Sequence, residues 1–354
     1  MVSRLIVAAT MDALIPVTGK NFGQMLRSWD AAWYLFVASH GYPSHPIVMT
    51  QWNPLAKLPQ WAIAFFPGFP AATALVSDVG IPLVYAALAV SMVGGMVATL
   101  GVYRLGSLCF GSETGRRAAL LFCFFPGALV FSWAYSEGLA LAFAVWALCR
   151  LIERRWLTAG LFAALAGTVH SDLAVSLTVA CTIGALVAVV RERDWRSLQA
   201  PLLAPVGLLG YLAYLQVHTG SWRNWTWTEK VGWGQHVDFG VHQITTLMLN
   251  IENHFWRGSL IVGGGFLVAA LAAVALWRRP LPPAITAMAV ISMLLAYWSS
   301  VVGFRPRALL ATVPIFPAMA ALLGRRGTAI ALVLSAVATP FLLIAYLTNP
   351  ALVP

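Results

Sequence analysis

Apolar stretches of helical length alternate with short charged segments along most of the 354 residues. A helix that spans a bilayer needs about 20 mostly apolar residues. The pattern predicts helices at about 3–17, 80–103, 117–135, 138–150, 156–170, 172–190, 198–217, 258–277, 283–302, 308–323 and 327–347. Some are shorter than a full span, which is typical of re-entrant or broken helices. We expect an all-α polytopic membrane protein with about 9–11 transmembrane helices in one domain, 1–354.

The composition supports this fold class. Hydrophobic residues make up 60% of the chain, charged residues make up 10%, and the mean hydropathy is +0.80. Soluble domains carry about 25% charged residues, so a soluble enzyme and a disordered protein are both excluded. The cysteines, which lack C-x-x-C spacing, fall in or beside apolar runs and are expected to be buried free thiols.

The basic residues predict the orientation in the membrane. With Arg4 on the inside, the arginine clusters of alternate loops all fall on one side, which holds 14 basic and four acidic residues. The other side holds eight of each, so the net charge of +10 lies on one face. This is the positive-inside pattern, which places that face in the cytoplasm. The charge therefore sets topology, and we expect no nucleic-acid partner.

Two long loops then lie outside, at about 18–79 and 218–257. They are rich in Trp, His, Gly and acidic residues, whereas the cytoplasmic loops are short and basic. We therefore expect the chemistry at the external membrane surface. No repeat of fixed period is visible, which argues against a transporter built from inverted repeats.

The first external loop contains RSWDAAWYLFVASHGYP, residues 27–43. Its large side chains recur at helical spacing: Trp29, Trp33, Phe36, Val37 and, beyond them, His40. We expect an amphipathic interfacial helix, capped by Ser28, with its aromatic face in the lipid headgroups. Asp30 in its first turn is placed either to accept a proton from a sugar hydroxyl or merely to complement the helix dipole.

The segment AFFPGFP, residues 64–70, follows in the same loop. Pro67 and Pro70 should break any helix there, and Gly68 permits a tight turn. The segment is either a rigid shelf along a groove for a lipid-linked substrate or a membrane-entry loop anchored by its three phenylalanines.

Ionisable residues at helix boundaries are further candidates. Glu137 opens a helix, and His170 and Asp172 share a tight external turn. Such residues are functional candidates, or they pair with one another for structure. Arg305 and Arg307 lie at an external helix start, against the charge rule. They suit a phosphate clamp, or pairing with anionic headgroups or a loop carboxylate.

The second external loop contains SWRNWTWTEKVGWGQHVDFGVHQ, residues 221–243. Its four Trp, with Glu229 and Asp238, suit carbohydrate stacking and hydrogen bonding, or alternatively a loop in the interfacial belt. Its two His lack metal-ligand spacing, so no metal is expected.

These motifs resemble the PIG-V-type mannosyltransferases, the family of the second GPI mannosyltransferase and its bacterial relatives. The matching residues are Trp29, Asp30, Trp33, Tyr34, Ala38, Gly41 and Tyr42, then Phe65, Phe66, Pro67, Phe69 and Pro70. Later segments resemble the family at Tyr135-Ser136-Glu137, at Trp233-Gly234 and at Arg305-Pro306-Arg307. One departure is 169–172, where relatives often carry Thr-Arg-Pro-x-Gly, which puts a phosphate role for this turn in doubt.

The resemblance implies a GT-C glycosyltransferase bundle that takes mannose from polyprenyl-phosphate mannose and passes it to a glycolipid or glycan acceptor. It implies a single inverting displacement, with Asp30 as the base and the leaving phosphate balanced by the two arginines. The expected substrate-binding residues are Trp29, Trp33, Tyr34, His40, Phe66, Pro67, Glu137, Trp233, Arg305 and Arg307. No cofactor is expected, and dependence on a divalent metal stays open.

Three alternatives remain at this point: transfer of another polyprenyl-linked sugar, a transporter or flippase of lipid-linked sugars, and a non-catalytic assembly subunit. A transporter should carry polar residues through the membrane midplane, and this chain has few. Besides the donor and acceptor, membrane lipids are the expected partners.

Overall fold

The computed structural model describes residues 2–47, 61–300, 305–349 and 352. Lys57, one of the eight basic residues counted on the predicted external side, and Phe304, which precedes Arg305, lie outside these ranges. The helices are α1 Val2–Thr18, α2 Phe22–Leu26, α3 Asp30–His40, α4 Gly68–Ser77, α5 Leu83–Phe110, α6 Ser112–Phe124, α7 Glu137–Ile152, α8 Trp156–Gly167, α9 Ser171–Glu192, α10 Gln199–Leu203, α11 Val206–Thr219, α12 Asn224–Trp227, α13 Val241–Glu252, α14 Trp256–Arg278, α15 Pro283–Trp298, α16 Pro306–Ala311 and α17 Ile315–Thr348.

Short irregular helices complete the described part of the chain. They are the 3-10 helices Ala62–Ala64, Pro126–Ser132 and Trp195–Leu198 and the π-helix Thr228–Gly232. An antiparallel bridge pairs Val237 with Ser299. α17 contains a kink at Gly324 (φ 62°), which separates the two helices expected at 308–323 and 327–347.

Several of these helices suit a bilayer. Within the described ranges, five segments are long and apolar enough to cross it: α5, α9, α14, α17 and the run 195–219 that ends with α11. The bent pair of α6 and the following 3-10 helix adds a sixth. The protein is therefore an all-helical, multi-pass membrane protein, as its sequence predicts.

The expected continuous helix over 117–135 is wrong. α6 ends at Phe124, and the 3-10 helix that follows is bent by 70° from it. Pro126 lacks the backbone N–H that would continue the helix, and it favours an extended residue before it; Phe125 is extended accordingly (φ −53°, ψ 135°). Arg4 donates to the freed carbonyls of Cys123, at 3.0 Å, and Ala128. Arg4 thus bridges the two parts of the broken helix through hydrogen bonds to both.

Glycines let the central helices approach closely. A Cβ on Gly94 of α5 would meet the backbone of Gly138 in α7, so only glycine fits at this crossing.

α7 and α9 begin at Glu137 and Ser171, and their other ends carry the ion pairs of Arg104 with Glu153 and of Arg154 with Glu192. The first residues of both helices therefore lie at the end of the bundle opposite the arginine clusters.

Two expectations for the first loop are corrected. α3 exists, but its aromatic face does not lie in the headgroups: Trp33 and Tyr34 are buried within the protein. Pro67 and Pro70 do not prevent a helix, because α4 begins at Gly68 with Pro70 in its first turn, where proline is tolerated. Gly68 forms no tight turn; a Cβ there would collide with Thr168, to whose carbonyl its N–H donates at 2.8 Å.

Candidate active site

Asp30 opens α3 from an unusual backbone position. The residue before it, Trp29, has φ 57° and ψ −129° and makes no side-chain cap, so the predicted cap by Ser28 is wrong. A positive φ on a bulky residue is strained and needs surrounding structure to hold it. The Trp29 ring packs edge-on against Trp133 (5.5 Å) and Tyr346 (6.4 Å). Packing of this tryptophan therefore sets where the Asp30 carboxylate lies.

Arg307 in the first turn of α16 joins two carboxylates. Its Nη1 lies 2.5 Å from Asp30 Oδ2, and its Nε lies 3.3 Å from Glu137 Oε1. Its guanidinium also lies over the Tyr135 ring, 5.4 Å from the centroid, while Tyr135 Oη accepts from the Asp30 N–H at 3.3 Å. Gly127 packs so tightly on the Pro306 carbonyl that no Cβ fits there. Three segments distant in sequence thus meet at this arginine: that of Asp30, that of Tyr135 and Glu137, and the start of α16.

The two carboxylates differ in access. The side chain of Asp30 is 21% exposed, whereas that of Glu137 is 7% exposed. Within the described part of the chain, Glu137 Oε2 is buried and has no hydrogen-bond partner. A buried acceptor without a partner is costly. Asp30 is therefore the carboxylate that an incoming hydroxyl can reach, and Glu137 carries an acceptor atom ready for a donor.

The predicted clamp of two arginines takes a different form. Arg307 is engaged by carboxylates, which is the pairing that the sequence left open as the alternative. Arg305 lies at the N-cap of α16. Burial lowers the pKa of Arg305, and the charges of Tyr346 and Asp30 oppose that shift. Arg307 thus holds the two carboxylates, and Arg305 lies two residues before it at the start of α16.

A line of hydrogen bonds runs beside this cluster. Tyr34 Oη lies 2.6 Å from Ser136 Oγ, which lies 2.9 Å from His170 Nε2. On the other side of the ring, His170 Nδ1 lies 3.3 Å from Asp172 Oδ1. His170 and Asp172 therefore do pair with one another, and they also reach α3 through Ser136.

Aromatic rings of the two long loops pack together near Asp30. Trp33 stacks on Phe65 (5.8 Å, 8°), and Trp233 packs edge-on against both, at 5.9 and 5.6 Å. Among the described residues, the buried Trp233 Nε1 has no hydrogen-bond partner. The predicted residues Trp33 and Trp233 are thus brought together one turn from Asp30.

Glu229 approaches from the π-helix of the second loop. Burial first, and the negative charge of Asp30 second, raise its pKa to about 7. A carboxyl group with a pKa near neutrality can exchange a proton at physiological pH. The site therefore contains an acidic group from each of the two long loops.

Three predicted residues lie apart from Asp30. His40 is at the other end of α3, exposed and stacked on Phe36. Phe66 packs on Tyr211 (4.6 Å) and Trp225 (6.0 Å) in a second aromatic cluster, and Pro67 is the N-cap of α4. The sequence predicted these residues because they lie in the two motifs of the first long loop, but residues of neighbouring motifs need not lie in one site.

Sequence reasoning named Glu229 in the Trp-rich loop and Tyr135 in a family match, but it assigned neither residue to the site of Asp30, and it missed Tyr346. An acidic residue in that loop and an aromatic residue beside Glu137 were usable signals. Tyr346, near the end of α17, carried no such signal. Among the described residues, no group of three or more His, Cys, Asp or Glu is arranged to hold a metal ion.

The family described as Mannosyltransferase (PIG-V) matches residues 6–263. The chain belongs to the PIG-V mannosyltransferase family. The match includes Asp30, Glu137 and Glu229 and ends before Arg307.

Curated members of the PIG-V family resemble part of the chain. Over 163 residues the chain is 30% identical to GPI alpha-1,6-mannosyltransferase 2 of Mus musculus. The aligned segment covers 43% of this chain and 30% of that protein. The Homo sapiens protein of the same name is 29% identical over 163 residues, with the same two coverages. The match thus spans about a third of the length of these curated relatives.

A solved structure shows the fold. ArnT from Cupriavidus metallidurans bound to undecaprenyl phosphate aligns with a TM-score of 0.56 and 13% identity, over 99% of this chain and 65% of that one. At this identity the likeness concerns the fold alone. The PIG-V family member described here therefore has the GT-C type of membrane bundle that its motifs predict.

Proposed function

We propose that the protein transfers mannose from polyprenyl-phosphate mannose to a lipid-linked or glycan acceptor at the external membrane face. The observation that carries the proposal is the Asp30 carboxylate, partly exposed and oriented by Arg307. The family membership supports mannose as the sugar. The undecaprenyl phosphate named with the ArnT structure supports a polyprenyl phosphate as the carrier.

The proposed reaction is a single displacement with inversion. Asp30 takes the proton of the acceptor hydroxyl while that oxygen attacks C1 of mannose. The bond from C1 to the phosphate oxygen breaks, and polyprenyl phosphate leaves with the bonding electrons. A positioned general base contributes about 10²- to 10⁴-fold to such a step.

The charges around Asp30 suit this step. When Asp30 gains the proton it becomes neutral, and Arg307 keeps Glu137 as its counter-ion, 3.3 Å away. Arg307 therefore stays in place through the reaction, and Arg305 is the group that offsets charge on the leaving phosphate. The positive-inside pattern supports the external face, because it places the opposite end of the bundle in the cytoplasm.

The test uses membranes that contain the protein and are fed polyprenyl-phosphate [³H]mannose. Asp30→Asn keeps the shape of the side chain and removes the base, so transfer should fall by about 10²-fold or more. The matched control is Asp78→Asn, at the exposed end of α4, which should transfer normally. Full transfer by a correctly inserted Asp30→Asn protein would remove Asp30 from this role. Transfer from another polyprenyl-linked sugar at a higher rate would change the donor assignment.

A further inference from the structure

The hydrogen-bonded line Tyr34–Ser136–His170–Asp172 is not used in the proposed displacement, yet it touches the site. Tyr34 lies one helical turn after Asp30 in α3, and Ser136 directly precedes Glu137. Tyr34 and Ser136 are both buried, at 7% and 0% exposure. The line therefore joins α3 to the N-terminal ends of α7 and α9 through side chains alone.

The direction of this line depends on His170. In neutral histidine one ring nitrogen donates and the other accepts, and the hydrogen-bond network decides which. Asp172, when ionised, only accepts, so Nδ1 must carry the proton and Nε2 must accept from Ser136. Ser136 Oγ is then left to accept the Tyr34 hydroxyl, and all three bonds point towards Asp172.

Protonation of His170 reverses two of these bonds. Both ring nitrogens then donate, so Nε2–H is directed at Ser136 Oγ. Of the two described partners of the Ser136 hydroxyl, only Tyr34 Oη can then still accept its proton, so the hydroxyl turns and donates to Tyr34. The Tyr34 O–H group keeps its proton and turns towards the site. There Glu137 Oε2 is the buried acceptor that lacks a partner among the described residues.

We propose that His170 is a positioning residue that, acting through Ser136, switches the Tyr34 hydroxyl between donating away from the active site and donating into it. Its effect on catalysis rests on the proposed function, whereas the switch itself does not. The charged groups that act on His170 are Asp172 from α9, Glu137 from α7 and Arg307 from α16.

Burial and nearby charges act on both His170 and Tyr34. Burial lowers the pKa of His170, but the hydrogen bond and charge of Asp172 raise it, and the net pKa lies above its usual value. Burial first, and the charges of Glu137 and Asp30 next, raise the pKa of Tyr34 well above its usual value. The tyrosine therefore keeps its proton throughout, and only the direction of donation changes.

The test is NMR of the full chain in detergent micelles, labelled with ¹⁵N in the histidine rings and ¹³Cζ in tyrosine. Tyr34→Phe and His170→Gln assign the two signals. In the wild type, the Tyr34 ¹³Cζ signal should shift with the same midpoint pH as the His170 nitrogens. In Ser136→Ala, His170 should still titrate while the Tyr34 response disappears. Ser91→Ala, another fully buried serine, is the control and should retain the response.

Two results would overturn the switch: a Tyr34 signal that ignores His170 in the wild type, or a response that persists in Ser136→Ala. A kinetic measurement separates the switch from the proposed function. The pH profile of kcat for mannose transfer should contain a step at the His170 midpoint that Ser136→Ala loses. Coupled NMR titrations in a protein that transfers no mannose would uphold the switch and reject the function.

Discussion

Arg307 donates to Asp30 across 277 positions of sequence and so connects the first external loop to α16. The same guanidinium contacts Glu137, so one cation serves two carboxylates at the end of the bundle. A cation shared in this way fixes both acidic side chains relative to each other. The consequences can be tested on stability and on activity.

Removal of Arg307 should destabilise the protein. Arg307→Met leaves Asp30 and Glu137 facing each other without a counter-ion, and loss of one partner of a buried pair costs about 3–5 kcal/mol. The midpoint of thermal unfolding in detergent should fall clearly. Adding Glu137→Gln should restore part of the loss, because the two residues interact directly. Strictly additive effects of the two substitutions would contradict the shared ion pair.

Arg305→Ala should impair use of the donor. A hydrogen bond to a charged group is worth about 1.5–3 kcal/mol, so KM for polyprenyl-phosphate mannose should rise about 10- to 100-fold. Arg305→Lys, which keeps the charge, should lose less. Steady-state kinetics with the donor and the acceptor varied separately gives the KM of each variant for both substrates. A larger rise in KM for the acceptor than for the donor would reject the phosphate role of Arg305.

Glu229 should make stability depend on pH. Its pKa rises from 4.5 to about 7 in the folded protein, chiefly through burial and secondly through Asp30. Between these values the folded state binds more protons than the unfolded state, so stability falls as the pH rises. As the pH is raised from 4.5 to about 7, the thermal unfolding midpoint of the wild type should therefore fall relative to that of Glu229→Gln. If the unfolding midpoints of the two proteins change with pH in parallel, folding does not raise the pKa of Glu229.

Gly127→Ala should disturb Arg307 from a distance. The new methyl group would overlap the Pro306 carbonyl and push the start of α16 away from Asp30. A displacement of about 1 Å at a reacting group can cost about 10²-fold in rate. Gly210→Ala is the matched control, because within the described structure a Cβ there meets no atom within 4 Å. Equal transfer rates for the two variants would mean that Gly127 does not position the arginine.

The sequence by itself determined the membrane-spanning character, because each apolar run is long enough to demand burial or lipid contact. It also singled out Asp30 as the residue now proposed as the base, since the motif around it is local. The resemblance to the PIG-V family, drawn from residues within the first 70 positions and a few later segments, is confirmed by the match over 6–263.

Only the tertiary structure decided what surrounds that acid. Nothing in the order of residues states that Arg307 meets Asp30, that Trp29 packs against Tyr346, or that His170 reaches Tyr34 through Ser136. Local pattern also misplaced the aromatic face of α3, because hydrophobic periodicity shows that a face is buried but not whether lipid or protein covers it. Contacts between distant segments depend on how the helices pack, and that is a property of the whole bundle.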